Sequence, residues 1–522
     1  LPEEYDAIIV GGGHNGLVAA SYLQKAGIRT VILERREFVG GACVTEEIFP
    51  GFKFSSCAVI CHLLQDKIIK DLELRRHGFD VYQLEPRYFG PFPNGDHLFI
   101  YEDAGRTAKE IGRFSAHDEQ AYPQWLEFWE KVTDIIYPFF LRSPPSFHEL
   151  TAHAVKIGAE DVLQKTLTST MRDILDEYFE NDSVKGFFSY WGQDVGDPDS
   201  PGGPFCLTYL ECNRFTSPEN FGIVKGGMGG ITQSLQRAAE SLGAKVLTGA
   251  EVEKILIVDG QAIGVKLRDG REFHSSVVIS NADPKRTFLK LVGEEELEPE
   301  FVKRVKKLKT EVTCIKILCS LKGLPDFSSY LGTNFNTKLV AHGLMCPSID
   351  YLKKAWEDAK AGVPARDPVI WFQIPSVYDP TMAPEGCHSI ALYFQYAPVK
   401  PKAGEWIDIK QKEGARLIGY FTKCYAPNFR EILLDWEIFT PVELESRMGL
   451  TDGNIRHLDM IPSQMLSARP MFGWANYETP VKGLYLCGGG THPGGEVTGA
   501  PGHNAAKVVI EHFTRHQNST AS

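Results

Sequence analysis

Apolar runs and amphipathic stretches alternate in a definite order at the start of the chain. Ala7-Ile8-Ile9-Val10 carries no polar residue on either side of its alternation, as a strand buried on both faces requires. Residues 17–26 read as a helix stopped by Gly27, and 29–33 as a second strand ending at Glu34. The spacing predicts one βαβ crossover. Helices are expected over 120–138 and 159–181, where aromatic residues and prolines interleave. Further on, 231–242 reads as a helix and 245–248, 252–258, 263–267 and 277–280 as strands, with Asp259-Gly260 and Asp269-Gly270 as tight turns. At the far end, 483–487 reads as a strand, 488–499 as a Gly-rich loop and 500–513 as a helix. The dense apolar run 135–141 is either core, a greasy tunnel mouth or a monotopic membrane contact.

The turn between the first strand and helix carries the first chemistry. Gly11-x-Gly13-x-x-Gly16 follows a strand, opens a helix and is answered by Glu34 at the end of the next strand. Glycines there allow a tight turn, close approach of backbone to a pyrophosphate, and close helix–strand packing. The helix N-terminus receives the anion, and Glu34 the ribose hydroxyls. Arg35-Arg36-Glu37-Phe38-Val39 then leads to Gly40-Gly41. A second glycine pair just beyond the ribose acid suits the longer FAD rather than NAD. No second complete GxGxxG exists, since Thr232 and Pro493 interrupt the two other Gly-rich runs. With no NAD(P) site and no redox cysteine pair, a substrate is expected to pass hydride to the flavin directly.

Composition removes other classes. A length of 522 residues gives a prior of two to three domains. The balance of 55 basic against 67 acidic residues, a net −12, disfavours nucleic acid. Eleven cysteines include the close pairs Cys57/Cys61, Cys206/Cys212 and Cys314/Cys319, none of them CxxC, which points to a reducing intracellular compartment. That compartment is the cytoplasm, or the mitochondrial matrix if a transit peptide has been removed. No run reaches the ~18 apolar residues of a membrane span. No metal site is assigned. Asn518-Ser519-Thr520 matches a glycosylation acceptor, but no secretory signal accompanies it.

The motifs together resemble those of the phytoene desaturase-like flavoproteins. Gly-Gly-Gly-His14-Asn15-Gly16-Leu17 is similar to their opening, and Gly488-Gly489-Gly490-Thr491-His492-Pro493-Gly494-Gly495 to their C-terminal signature. Gly226-Gly227-Met228-Gly229-Gly230 and Ser280-Asn281-Ala282-Asp283-Pro284 resemble theirs too. The nearest branch is that of the pyridine nucleotide-disulphide oxidoreductase domain-containing protein 2 flavoproteins. The resemblance implies an α/β fold with a Rossmann-type FAD-binding domain assembled from three segments (1–75, 222–295 and 465–522). A discontinuous α+β substrate or cap domain would take 76–221 and 296–464. It also implies that the backbone at Val252 meets adenine, that Gly488 and Gly489 meet the pyrophosphate, and that the helix N-terminus near Val497 and Thr498 points at the flavin ring. Ala42 stands where related amine oxidases carry an Arg, so the pyrophosphate must be neutralised from elsewhere.

His492 and Glu496 are the only ionisable residues of the Gly-rich C-terminal loop. Each either orders the flavin edge and accepts a proton, or braces the loop. Trp474 and Tyr477 are candidates for walls of the flavin ring, or for packing. The expected activity is FAD-dependent removal of hydride from a C–H bond of an apolar, polyene- or isoprenoid-like small molecule. Two rivals stand: an amine or amino-acid oxidase on the same fold, and a flavin-binding protein that associates with a partner or membrane without turnover.

Overall fold

The computed structural model describes residues 5–190, 195–206 and 216–520, with side chains as far as 515. Five short strands form one parallel sheet in the order Leu484–Leu486, Val278–Ser280, Ala7–Val10, Thr30–Leu33, Lys245–Leu247. These strands come from three separated stretches of chain, as a Rossmann-type sheet assembled from three segments requires. Each strand is short and apolar because each is covered twice. Ala7, Ile9 and Ile32 face the helices His14–Lys25, Gly229–Ser241 and Ala500–Thr520 through Leu17, Ile231, Leu235 and Val509. Ile8, Val10, Val31 and Leu33 face the other way, onto the three-stranded sheet of Val252–Val258, Gln261–Leu267 and Glu272–His274. The turn at Asp259-Gly260 has both residues at positive φ (51° and 73°), the geometry its sequence predicts.

A second, seven-stranded sheet runs in the order Leu433–Phe439, Thr313–Leu321, His388–Ala397, Val369–Gln373, His342–Met345, Tyr88–Pro91, His97–Ile100. It is antiparallel except where 342–345 meets 88–91. Its outer face, including Ile315, Ile317, Phe372, Leu392 and Phe394, packs on the helix Trp406–Cys424 through Leu417, Ile418 and Phe421. The inner face turns toward the parallel sheet and a group of helices drawn mainly from 104–189.

Those helices correct the periodicity reading in two places. The expected 120–138 helix is Ala116–Phe140, with Ser115 Oγ accepting from Asp118 N at its start and both Pro123 and Pro138 inside. The expected 159–181 helix is two, Glu160–Thr168 and Met171–Tyr178. Thr170 starts the second with a capping box, its hydroxyl accepting from Asp173 N while the Asp173 carboxylate accepts from Thr170 N. The apolar run at 135–141 is mostly core: Ile135, Ile136, Phe139 and Phe140 are buried, while Tyr137 and Pro138 are exposed. Among the described residues no helix is long and apolar enough to cross a membrane. Every described cysteine is free, and Cys212 lies outside the described residues, as do the side chains of 518–520.

Candidate active site

The first loop folds back on the second glycine pair. Gly11 sits at φ +99°, and Gly40 N donates to Gly12 O at 2.9 Å. A Cβ on Gly16 would lie 2.3 Å from Gly11 O, so the helix can approach the strand end only without one. Glu34 closes the loop from beneath: its Oε2 accepts from Gly12 N (2.8 Å) and its Oε1 from Arg36 N (2.9 Å). The acid therefore shapes the loop backbone as well as facing the space where ribose is expected.

That space is a cleft-like cavity of about 940 Å³, counting the part open to solvent. Of the residues expected at a nucleotide, Gly11, Gly13, His14, Asn15, Glu34, Arg35, Gly41, Ala42 and Val252 line it. Gly16 and Gly40 do not; they set the path of the loop. Asn281, Arg286 and His457 line it as well and have no counterpart in the expected set. Burial and the neighbouring Arg286 hold the Arg35 guanidinium below its ordinary pKa. Arg35 and Arg286 thus bring positive charge to the cleft that Ala42 does not supply.

A second cavity, about 720 Å³ counting the part open to solvent, adjoins the first, and His14, Ala42 and His457 are walls of both. Gly489, Glu496 and Val497 line it; Gly488, His492 and Thr498 do not. Gly488 is pressed against Asn281 O, which its missing Cβ would approach to 2.8 Å. Thr498 Oγ1 accepts from Ala500 N and so caps the last helix. His492 is fully buried, its Nε2 set 2.9 Å from Phe139 O, and its own carbonyl accepts from Tyr477 Oη at 2.8 Å. The geometry gives His492 a bracing place and leaves Glu496 as the ionisable loop residue at the cavity. Tyr477 and Trp474 pack in the two cores on either side of the parallel sheet rather than at the cavity.

Glu496 itself sits at φ +82°, unusual for a residue with a Cβ. Its carboxylate forms an ion pair with Arg456, both side chains being nearly buried. Its carbonyl lies 3.1 Å from His14 Nε2. Burial drives the imidazoles of His14 and His457 down to about 4, so both are neutral near pH 7. Arg469, also fully buried, donates to the carbonyls of Gly489 (2.7 Å) and Arg456 (2.8 Å) and ties these two loops together.

The inner face of the seven-stranded sheet closes the second cavity. Trp371, Tyr393 and Gln395 come from adjacent strands, with Ala58, Val59, Ile60 and Ile455 opposite. Behind Tyr393, Lys316 is fully enclosed; its Nζ donates to the carbonyls of Ser55 and Cys57 and lies 4.6 Å from the tyrosine ring centre. Burial lowers this ammonium to about 7.

The first cavity fits a dinucleotide. The helix at His14 has no side-chain cap and no acidic residue in its first turn, so its free N–H groups are left for an anion. Asn15 Oδ1 and His457 Nδ1 are buried without a partner among the described residues, and both residues wall the cavity.

Residues 16–316 match the model of the family described as flavin containing amine oxidoreductase. The chain is 36% identical to pyridine nucleotide-disulfide oxidoreductase domain-containing protein 2 of Rattus norvegicus, over 98% of this chain and 94% of that one. This chain belongs to the flavin-containing amine oxidoreductase family. Its cofactor is FAD, and it is an FAD-dependent oxidoreductase of the phytoene desaturase-like kind. It is 28% identical to the phytoene desaturase (lycopene-forming) of Pseudescherichia vulneris over 97% of this chain and 99% of the relative. A solved putrescine oxidase variant shares the fold at a TM-score of 0.63, with 14% identity, covering 98% of this chain and 99% of that one.

Among the residues that join the site without having been expected there are Asn281, Arg286, Arg456 and His457. Asn281 lies inside the stretch 280–284, which had carried only a likeness. Arg456 and His457 follow the Gly449–Gly453 turn in a segment with no periodic pattern, and only the tertiary fold brings them to the cleft.

Proposed function

We propose that this protein dehydrogenates an apolar, isoprenoid-like molecule held in the second cavity. FAD supplies, when bound, a ring able to take up a hydride and its electron pair. Gly11, Gly13, Asn15, Glu34, Arg35, Arg286 and Val252 would hold its nucleotide part, and Gly489, Glu496 and Val497 would face its ring end. The protein's own task is then positioning and exclusion of water.

The wall of the second cavity carries this reading. Ala58, Val59, Ile60, Trp371 and Ile455 make it largely apolar, and its two charged residues, Arg456 and Glu496, neutralise each other. His14 and His457 at its rim are neutral near pH 7, and among the described residues that line it Glu496 is the one acid, already paired. The relative that desaturates phytoene acts on a hydrocarbon, which agrees with such a wall.

One observation favours amine oxidation instead. Trp371 and Tyr393 stand with ring centres 6.1 Å apart and planes at 41°, the beginnings of an aromatic cage. Against it, the buried Lys316 Nζ already lies over the ring of that tyrosine. Incubation with an isoprenoid hydrocarbon and an artificial electron acceptor separates the two. Mass spectrometry should find a product two hydrogens lighter. Conversion of a primary amine to its aldehyde, with the hydrocarbon untouched, overturns the proposal.

A further inference from the structure

The two faces of the seven-stranded sheet differ in chemistry. The outer face of its central strands is wholly apolar, carrying Ile315, Ile317, Ile370, Phe372, Ile390, Leu392 and Phe394. On the inner face the same strands place Lys316, Trp371, Gln373, Ser389, Tyr393 and Gln395 among small apolar residues. Several of these are spoken for: Lys316 donates to two carbonyls, Tyr393 Oη to Cys57 O, and Trp371 Nε1 to His342 Nε2. Gln373 Nε2, Ser389 Oγ and Gln395 Oε1 have no partner among the described residues, and of these three only Gln395, 4% exposed, lines the second cavity.

A buried amide left unpaired costs about 1–3 kcal/mol, whereas apolar residues at the same strand position would cost nothing. We infer that Gln395 pairs with a neutral hydroxyl on the substrate, so that the molecule taken here is an isoprenoid-like alcohol rather than a pure hydrocarbon. A hydroxyl both donates and accepts, so it satisfies the amide whichever way its oxygen and nitrogen are turned. A cationic head does not suit the place, because Glu496 is already paired with Arg456 and Lys316 Nζ lies over the Tyr393 ring. The inference rests on the apolar-cavity reading above and refines it.

Hexan-1-ol and 1-fluorohexane, nearly equal in size, test it on the FAD-loaded protein through perturbation of the flavin spectrum and through calorimetry. A wholly apolar wall would favour the fluoroalkane, because the hydroxyl would be stripped of water for nothing. The expected result is that the alcohol binds at least as tightly as the fluoroalkane. In Gln395→Leu the ratio of the two dissociation constants should swing at least about tenfold toward the fluoroalkane, the size of one lost buried hydrogen bond. Gln395→Met, with its flexible chain, serves if the leucine variant does not fold. A wild-type preference of about tenfold or more for the fluoroalkane overturns the inference, and so does a ratio that neither variant moves. Both results leave the apolar cavity standing. If neither probe binds, the apolar-cavity reading falls and takes this inference with it.

Discussion

The parallel sheet and the seven-stranded sheet meet at the same cavities and contribute to them in opposite ways. Around the parallel sheet the working surface is mostly backbone: the 11–16 loop, Gly40-Gly41 and the free N–H groups of the helix at His14. The side chains there, Glu34 above all, mainly hold the backbone in place. On the seven-stranded sheet the backbone is consumed by strand pairing, and only side chains reach the cavity. A cofactor common to many proteins is thus gripped largely by groups every residue possesses, while a substrate in the second cavity, as proposed above, would meet Trp371, Tyr393 and Gln395. The difference explains how one cofactor site can serve many substrates.

The sharpest way to break this division lies where the two regions touch. Glu496→Gln removes the carboxylate that the nearly buried Arg456 guanidinium pairs with, and breaking such a pair costs about 3–5 kcal/mol. Arg456→Gln should cost as much, and the double variant clearly less than the sum. Urea unfolding of the three FAD-loaded variants checks it; strict additivity would mean that the pair is not the unit described here.

On the nucleotide side, Glu34→Ala removes the acceptor of two backbone N–H groups, each worth about 1–3 kcal/mol when left unpaired. It should therefore destabilise the FAD-free protein as well as weaken FAD. A variant that loses FAD but melts like wild type would reduce Glu34 to a ribose ligand alone. Gly16→Ala comes next. Its methyl would press on Gly11 O, and overpacking of this kind costs about 1–3 kcal/mol. Flavin content after gel filtration should fall, whereas Gly226→Ala, with open space around its Cβ, should cost only its strained φ.

A pH trend is shared by both regions. His14 and His457 at the nucleotide cleft sit at about 4, and His342 on the seven-stranded sheet at about 3, all depressed mainly by burial from an ordinary value near 6.5. Between pH 6.5 and 4 the unfolded chain takes up protons that the folded chain refuses, so stability falls as pH drops through that window. Above 6.5 these groups contribute no slope. Thermal unfolding at steps between pH 7.5 and 4.5 should show a Tm flat at the top and declining below 6.5.

Legibility in the sequence follows the same division. The 7–34 crossover, the glycine loop and the 252–267 hairpin could be read because each depends on local rules: a buried apolar run, a helix opening on glycine, an Asp-Gly turn. The inner wall of the seven-stranded sheet could not. Trp371, Gln395 and Arg456 lie far apart in sequence and share no motif, and they meet only through strand register and loop packing. His492 shows the reverse error. Its place in a signature loop suggested chemistry, yet its ring is held at the Phe139 carbonyl and away from the cavity. Capping explains the misread helices: Thr170 with Asp173 starts a new helix inside a continuous periodic pattern.

The central claim is that an apolar C–H donor, seated against Val59, Ile60, Ile455 and Trp371, gives its hydride to the FAD held by the neighbouring cleft. The anaerobic half-reaction tests it most directly. The FAD-loaded protein is mixed without oxygen with an isoprenoid hydrocarbon, its alcohol, or a primary amine of the same carbon skeleton, and the visible flavin band is followed in time. The account predicts that the band bleaches with the hydrocarbon or the alcohol and persists with the amine. Bleaching by the amine alone would contradict it.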